Sequence, residues 1–150
     1  MTRWSGNSAM VPQIEVVNRQ RTVRLDLPAL QAFAREALAR CLRLPSPART
    51  GALPSEIFVT LISDRRMAAL HREFLHEHGP TDVITFQHGE IFISVLTARA
   101  NATRFRTSTK GEIQLYIVHG LLHLRGWKDR TGEQARRMRS AEKAVLHGLV

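Results

Sequence analysis

A chain of 150 residues fits one domain, long enough to bury a real core, and its 43% apolar content is that of a globular protein. No apolar run approaches the roughly 18 residues needed to span a bilayer. The net charge of +9, carried by 19 Arg against 3 Lys, points to a polyanionic partner, because guanidinium binds phosphate bidentately and stacks on bases. Cys41 is the single cysteine, which excludes an intrachain disulfide and a cysteine zinc cluster.

Residues 1–11 are polar and aperiodic and read as a tail without the apolar core of a signal peptide. The chain is therefore expected to be cytoplasmic, with residues 12–150 as its one domain. Gln13–Asn18 is β-branched and predicts a strand. Asp26 caps a helix with Pro28 in its first turn, and Leu30, Phe33, Ala37, Leu38 and Cys41 recur through it at helical spacing. Residues 45–54 form a Pro-rich loop, and Glu56–Ile62, apolar on both faces, predicts a central strand. Ser63 or Asp64 caps the next helix, which His78-Gly79-Pro80 stops.

Two short strands follow, 81–86 and 90–94, joined as a hairpin through Gln87-His88-Gly89. Val95 to Phe105 is an Ala-rich helix, and residues 106–110 a basic loop. Thr109-Lys-Gly-Glu112 has the spacing of a capping box, with Thr109 as N-cap. The helix it opens is apolar almost all round (Ile113, Leu115, Ile117, Val118, Leu121, Leu122), which predicts a buried central helix. A final helix from Gly132 carries a basic face at Arg136, Arg137, Arg139 and Lys143. This order predicts an α+β fold, a mixed sheet of about four strands covered by helices.

The chemistry concentrates in His119-Gly-Leu-Leu-His123-Leu-Arg-Gly126-Trp-Lys-Asp129. Side chains at i and i+4 on a helix lie roughly 5–6 Å apart at Cβ, so both imidazoles reach one ion. Gly126 can end the helix in a left-handed conformation and turn the chain back to deliver Asp129 as a third ligand. Three protein ligands leave a position open, as in catalytic zinc sites. Two nitrogens and one oxygen favour Zn2+, one per chain, with nickel and manganese as the alternative ions. The spacing is also that of a group of zinc metalloproteases, but those carry a general-base Glu after the first histidine, where this chain has Gly120. Glu90 and Asp82 are the candidate catalytic carboxylates. His88 is read as an exposed loop histidine, and His71, His76, His78 and His147 as surface residues. Arg125, Lys128 and Arg130 cluster after the metal helix as candidate phosphate contacts, and Arg104, Arg106 and Lys110 cluster before it.

Pro80-Thr81-Asp82-Val83-Ile84-Thr85-Phe86, Gly89-Glu90-Ile91 and the His119 motif together resemble the YbeY family of bacterial endoribonucleases, over about residues 14–145. The resemblance implies a metal-dependent single-strand RNA nuclease that matures ribosomal RNA, notably the 3′ end of the small-subunit RNA, and serves ribosome quality control. Two positions depart from the family pattern. The family's third ligand is histidine where this chain has Asp129; a carboxylate keeps the site but lowers its net charge. An arginine five residues before the proline is Leu75 here, leaving Arg72, nearly one turn earlier, as the cation available to meet phosphate. The alternative reading is a non-catalytic ribosome-binding factor with structural zinc.

Overall fold

The computed structural model describes residues 11–47, 53–75 and 82–149. Its elements in chain order are β1 (Gln13–Asn18), α1 (Leu27–Arg43), β2 (Glu56–Ile62), α2 (Asp64–Leu75), β3 (Val83–Phe86), β4 (Glu90–Ser94), α3 (Val95–Phe105), α4 (Thr109–Leu124) and α5 (Gly132–Leu146). The sheet order is β1-β2-β4-β3; β1, β2 and β4 are mutually parallel, and β3 pairs antiparallel with β4. The expected α+β fold with a mixed four-stranded sheet is what forms, and β2 lies inside the sheet as its two-sided apolar pattern requires.

Strand alternation divides the apolar side chains between two faces. Ile14, Val16, Ile57, Val59, Leu61, Ile91 and Ile93 face α1 and α4 and form the main core. The opposite face carries Ile62, Ile84, Phe86 and Phe92, covered in part by Met67 and Leu70 of α2. Five of the main-face side chains are completely excluded from solvent. Burying each is worth about 1.5–3 kcal/mol, so this face anchors the helices. α4 runs through the centre, packed on α1, α3, α5, β3 and β4. Its approach to the sheet needs a glycine: a Cβ on Gly120 would stand 2.8 Å from two atoms of Ile91.

Helix ends follow the local chemistry, with one shift. Asp26 caps α1 by accepting from Ala29 N–H, and Ser94 caps α3. α4 is capped by Ser108, which accepts from Gly111 N–H at 2.9 Å, and not by Thr109. Glu112 accepts instead from the Thr107 hydroxyl. Moving the cap one residue back puts Gly111, rather than Glu112, at the third helical position and removes the reciprocal partner of a capping box. The full box occurs at α5, where Thr131 and Gln134 exchange bonds. The strand expected from Thr81 begins at Val83; Thr81 and the His78-Gly79-Pro80 stop lie outside the described residues.

Candidate metal centre

The last turn of α4 and the loop behind it build the site. His119 and His123 project from one face of α4, their ring centroids 4.5 Å apart and nearly perpendicular. At the end of the helix Gly126 adopts φ +95°, and its N–H returns to His123 C=O. A side chain at that φ would be strained. The reversal brings Asp129 back over the histidines. Its Oδ2 lies 3.3 Å from His119 Nε2 and 3.5 Å from His123 Nε2, and the two Nε2 atoms are 2.9 Å apart. Among the described residues this is the one cluster of three potential metal donors, and the structure brings together the three residues the motif nominates.

The donor set fits a metal ion on two counts. Two ligand atoms about 2.0–2.1 Å from one tetrahedral ion stand roughly 3.3 Å apart, close to the histidine–aspartate spacings. The second count is the tautomers. His123 Nδ1 faces Trp127 C=O at 2.9 Å, and a carbonyl only accepts, so Nδ1 carries the proton. His119 Nδ1 likewise donates to the Glu142 carboxylate at 2.5 Å. Both neutral rings therefore turn the lone pair of Nε2 toward the other ring and toward a carboxylate. Such a triangle of electron pairs is stable only around a cation, a proton or a metal.

The electrostatics agree. Burial pushes the His119 pKa down, but the bond to Glu142 and the charges of Glu142, Asp129 and Asp82 outweigh it, and the net shift is upward. His123 is shifted down, by burial first and by the neighbouring His119 second, against the opposing pull of Asp129. The metal-free site thus favours one shared proton over two. Elsewhere, burial raises the Tyr116 phenol, one turn before His119, whose hydroxyl accepts from Asn101.

The site opens into a cleft of about 480 Å³ lined by Gln87, His123, Gly126, Trp127, Lys128, Asp129 and Arg130. A larger cleft, about 790 Å³, runs along the free edge of β1 far from any such donor set. There the Gln31 amide bridges Ile14 C=O and Val16 N–H, closing part of the strand edge.

The remaining nominated residues distribute unevenly. Lys128 and Arg130 are exposed in the metal cleft. Arg125, half-buried, is turned toward α1: its guanidinium donates to Leu44 C=O at 2.6 Å, and its own carbonyl accepts from Ser46. Those bonds tie the end of α4 to the end of α1. Arg72 is exposed on α2 and does not line the cleft. Asp82 stands at the entry of β3, where its charge acts on His119 and Tyr116. Glu90 accepts from or shares a proton with His88 Nε2 across the hairpin at 2.8 Å and does not line the cleft. His71, read as a surface residue, is only 8% exposed, one turn after the buried Met67 on α2; His147 is exposed, and His76 and His78 lie outside the described residues. Glu142 is the functional residue the sequence reading missed. It sits on a helix whose other charges are mostly basic, 23 positions from its partner, and only an acidic residue on the buried face of that helix hinted at it.

The comparisons with known proteins converge on one family. The sequence profile of the family described as Endoribonuclease YbeY matches residues 15–150. The chain belongs to the YbeY endoribonuclease family. Among its relatives, the Endoribonuclease YbeY of Anaeromyxobacter sp. (strain Fw109-5) is 37% identical over 127 residues, covering 75% of this chain and 66% of its own. That of Cytophaga hutchinsonii is 35% identical over 99 residues, 61% and 69% of the two chains. That of Geobacter metallireducens is 29% identical over 149 residues, 89% and 93%. This chain thus spans about two thirds of the length of the first two YbeY proteins and nearly all of the third. A solution structure of a Thermotoga maritima protein superposes with a TM-score of 0.60 at 20% identity over 90% of both chains, which shows a shared fold.

Proposed function

We propose that this chain is a metal-dependent endoribonuclease that cuts single-stranded RNA, acting in ribosomal RNA maturation at the 3′ end of the small-subunit RNA and in ribosome quality control. The observation that carries the reading is the triangle of His119 Nε2, His123 Nε2 and Asp129 Oδ2 at the mouth of an open cleft, in a chain of the YbeY family with a net charge of +9. The partners of this reading are single-stranded RNA and the ribosome, and the cofactor is one Zn2+. No described helix is long and apolar enough to cross a membrane; a cytoplasmic enzyme is part of the proposal.

His119, His123 and Asp129 would hold the ion, which supplies Lewis acidity toward a phosphoryl oxygen. Glu142 and the Trp127 carbonyl keep both imidazoles in the tautomer that offers Nε2. Lys128 and Arg130 stand in the cleft where a phosphodiester must lie to meet the site, and offset its charge. Asp82, whose charge reaches His119 and whose Oδ1 accepts from Val83 N–H, and Glu90, engaged with His88, are the candidate carboxylates for moving a proton.

The two rival readings meet specific obstacles. A structural zinc is closed by four protein ligands, whereas three are assembled here and Asp129 is 40% exposed. A peptidase needs its general base at position 120, where the backbone packs against Ile91 with no room for a Cβ. The test is cleavage of a single-stranded RNA carrying the small-subunit 3′ sequence. Zinc-loaded protein should cut it, while chelated protein and His123→Ala should not. Equal cleavage by all three samples would defeat the proposal, and release of peptides from a denatured protein would restore the peptidase.

A further inference from the structure

The hairpin turn beside the metal cleft carries an aromatic stack that the site described above does not use. Gln87 lines the cleft with His123 and Asp129, and its two neighbours in the chain turn away onto each other. The His88 ring lies on the Phe86 ring at 5.6 Å and 18°, close to parallel. Phe86 is met edge-on by Phe74 of α2 at 5.3 Å and by Phe92 of β4 at 5.8 Å. The stack rests on the second core at its base, against Ile62, Met67 and Ile84, and ends in solvent. The His88 side chain is 66% exposed and Phe74 is 52% exposed.

Two features distinguish this from a stray surface ring. Among the described residues three large hydrophobics are strongly exposed, and Phe74 is the one joined to other rings in an aromatic cluster. The His88 ring is also already oriented. Glu90 holds its Nε2 at 2.8 Å and Phe86 supports one of its faces, so the other face is presented without further ordering. The stack lies on the sheet face opposite α4, at the turn of the edge hairpin whose Gln87 lines the cleft with Lys128 and Arg130. A strand that leaves the cleft around that edge meets a flat, pre-oriented π face, so cations for the backbone and a ring for a base, the parts of a single-strand nucleic-acid site, lie along one path.

We propose that His88, backed by Phe86 and flanked by Phe74, is a base-stacking subsite for a nucleotide of single-stranded RNA where the strand passes from the metal cleft around the β3–β4 hairpin. The subsite rests on the nuclease reading above and adds to it the groups that hold the strand. Glu90 thereby gains a role as the positioning residue of His88. Stacking on a ring recognises any base, so the subsite fixes the path of the strand and contributes little to its sequence. A duplex cannot use it, because its bases are already stacked on each other, and this gives the chain a physical reason to prefer single strands.

The test uses the zinc-loaded chain and a 2′-O-methylated single-stranded RNA, verified by gel to stay intact through the measurement, with 2-aminopurine placed at each position in turn. In the parent protein one or two positions should show quenched fluorescence on binding. His88→Ala should abolish that quench and weaken binding about five-fold or more, the lower end for one base–ring stack, and His88→Phe should restore both. An abasic nucleotide at the quenched position should weaken binding to the parent and leave His88→Ala unaffected, since the two changes remove the same contact. Phe74→Ala should give a smaller loss in the same direction. The His88 side chain is 66% exposed, so the melting temperature of His88→Ala should stay close to the parent's, while Phe74→Ala, which loses its edge contact with Phe86, should fall slightly. Unchanged affinity and quench in His88→Ala and Phe74→Ala, while the parent still cuts RNA, would remove the subsite and leave the nuclease reading standing. A parent protein that neither binds nor cuts RNA would overturn both.

Discussion

Removing the charge of Glu142 should loosen the metal without touching a ligand. Glu142 is 9% exposed and accepts the Nδ1 proton of His119 at 2.5 Å. A charge-assisted hydrogen bond in such surroundings contributes about 1.5–3 kcal/mol. Loss of an outer partner of a metal-bound histidine typically costs 10–100-fold in affinity, about 1.4–2.7 kcal/mol. The two ranges overlap near ~2 kcal/mol, so Glu142→Ala should raise the zinc dissociation constant about 30-fold. Glu142→Gln keeps an acceptor oxygen and loses the charge, and should fall nearer the lower bound of about 10-fold. Competition against a chromophoric chelator reads the constant directly. In metal-free protein the same substitution should lower the His119 pKa, followed by NMR, because the partner that raises it most has lost its charge. Glu133→Gln is the control: it lies on the same helix, exposed, and pairs with Arg137. A zinc constant for Glu142→Ala within two-fold of the parent would show that Glu142 does not orient His119.

Asp129→Ala should weaken zinc binding strongly and Asp129→His should retain it; equal affinity in Asp129→Ala and the parent would make Asp129 a turn residue. Lys128→Ala with Arg130→Ala should flatten the salt dependence of single-stranded RNA binding by about 1.4 in log–log slope, 0.7 for each phosphate contact, and an unchanged slope would exclude both from the RNA path. Gly120→Ala should lower stability by about 1–3 kcal/mol through overpacking on Ile91, with partial recovery in the Ile91→Val background; an unchanged melting temperature would refute the close approach. Burial raises the Cys41 thiol from 9.0 to about 12. Its contribution to stability is complete below pH 9 and is lost as the pH rises toward 12, because only the unfolded chain releases the proton in that window; at about 1.4 kcal/mol per unit the loss approaches ~4 kcal/mol. Unfolding titrations of the parent and Cys41→Ala across this range should differ in slope, and parallel curves would refute the shift.

The parts of the site that were legible in the sequence are those set by neighbours along the chain. His119 and His123 share a helical face because they are four apart, and Gly126 reverses the chain because it alone tolerates the φ the turn needs, so Asp129 arrives where the motif places it. Strand alternation and helical periodicity likewise placed the core, since burial of a face is written into a period of 2 or 3.6. What only the tertiary structure decided is how distant segments meet. Arg125 stands among exposed cations in the sequence, yet the end of α1 lies over it and its guanidinium serves Leu44 C=O. His71 is buried one turn after Met67 on α2, and His88 is aimed by a ring from the preceding strand and a carboxylate from the following one. Glu142 reaches His119 across 23 residues only because α5 packs along α4. Spacing along one helix determines which side chains can converge on an ion; the crossing of two helices determines which acceptor aims them, and no local period records that crossing.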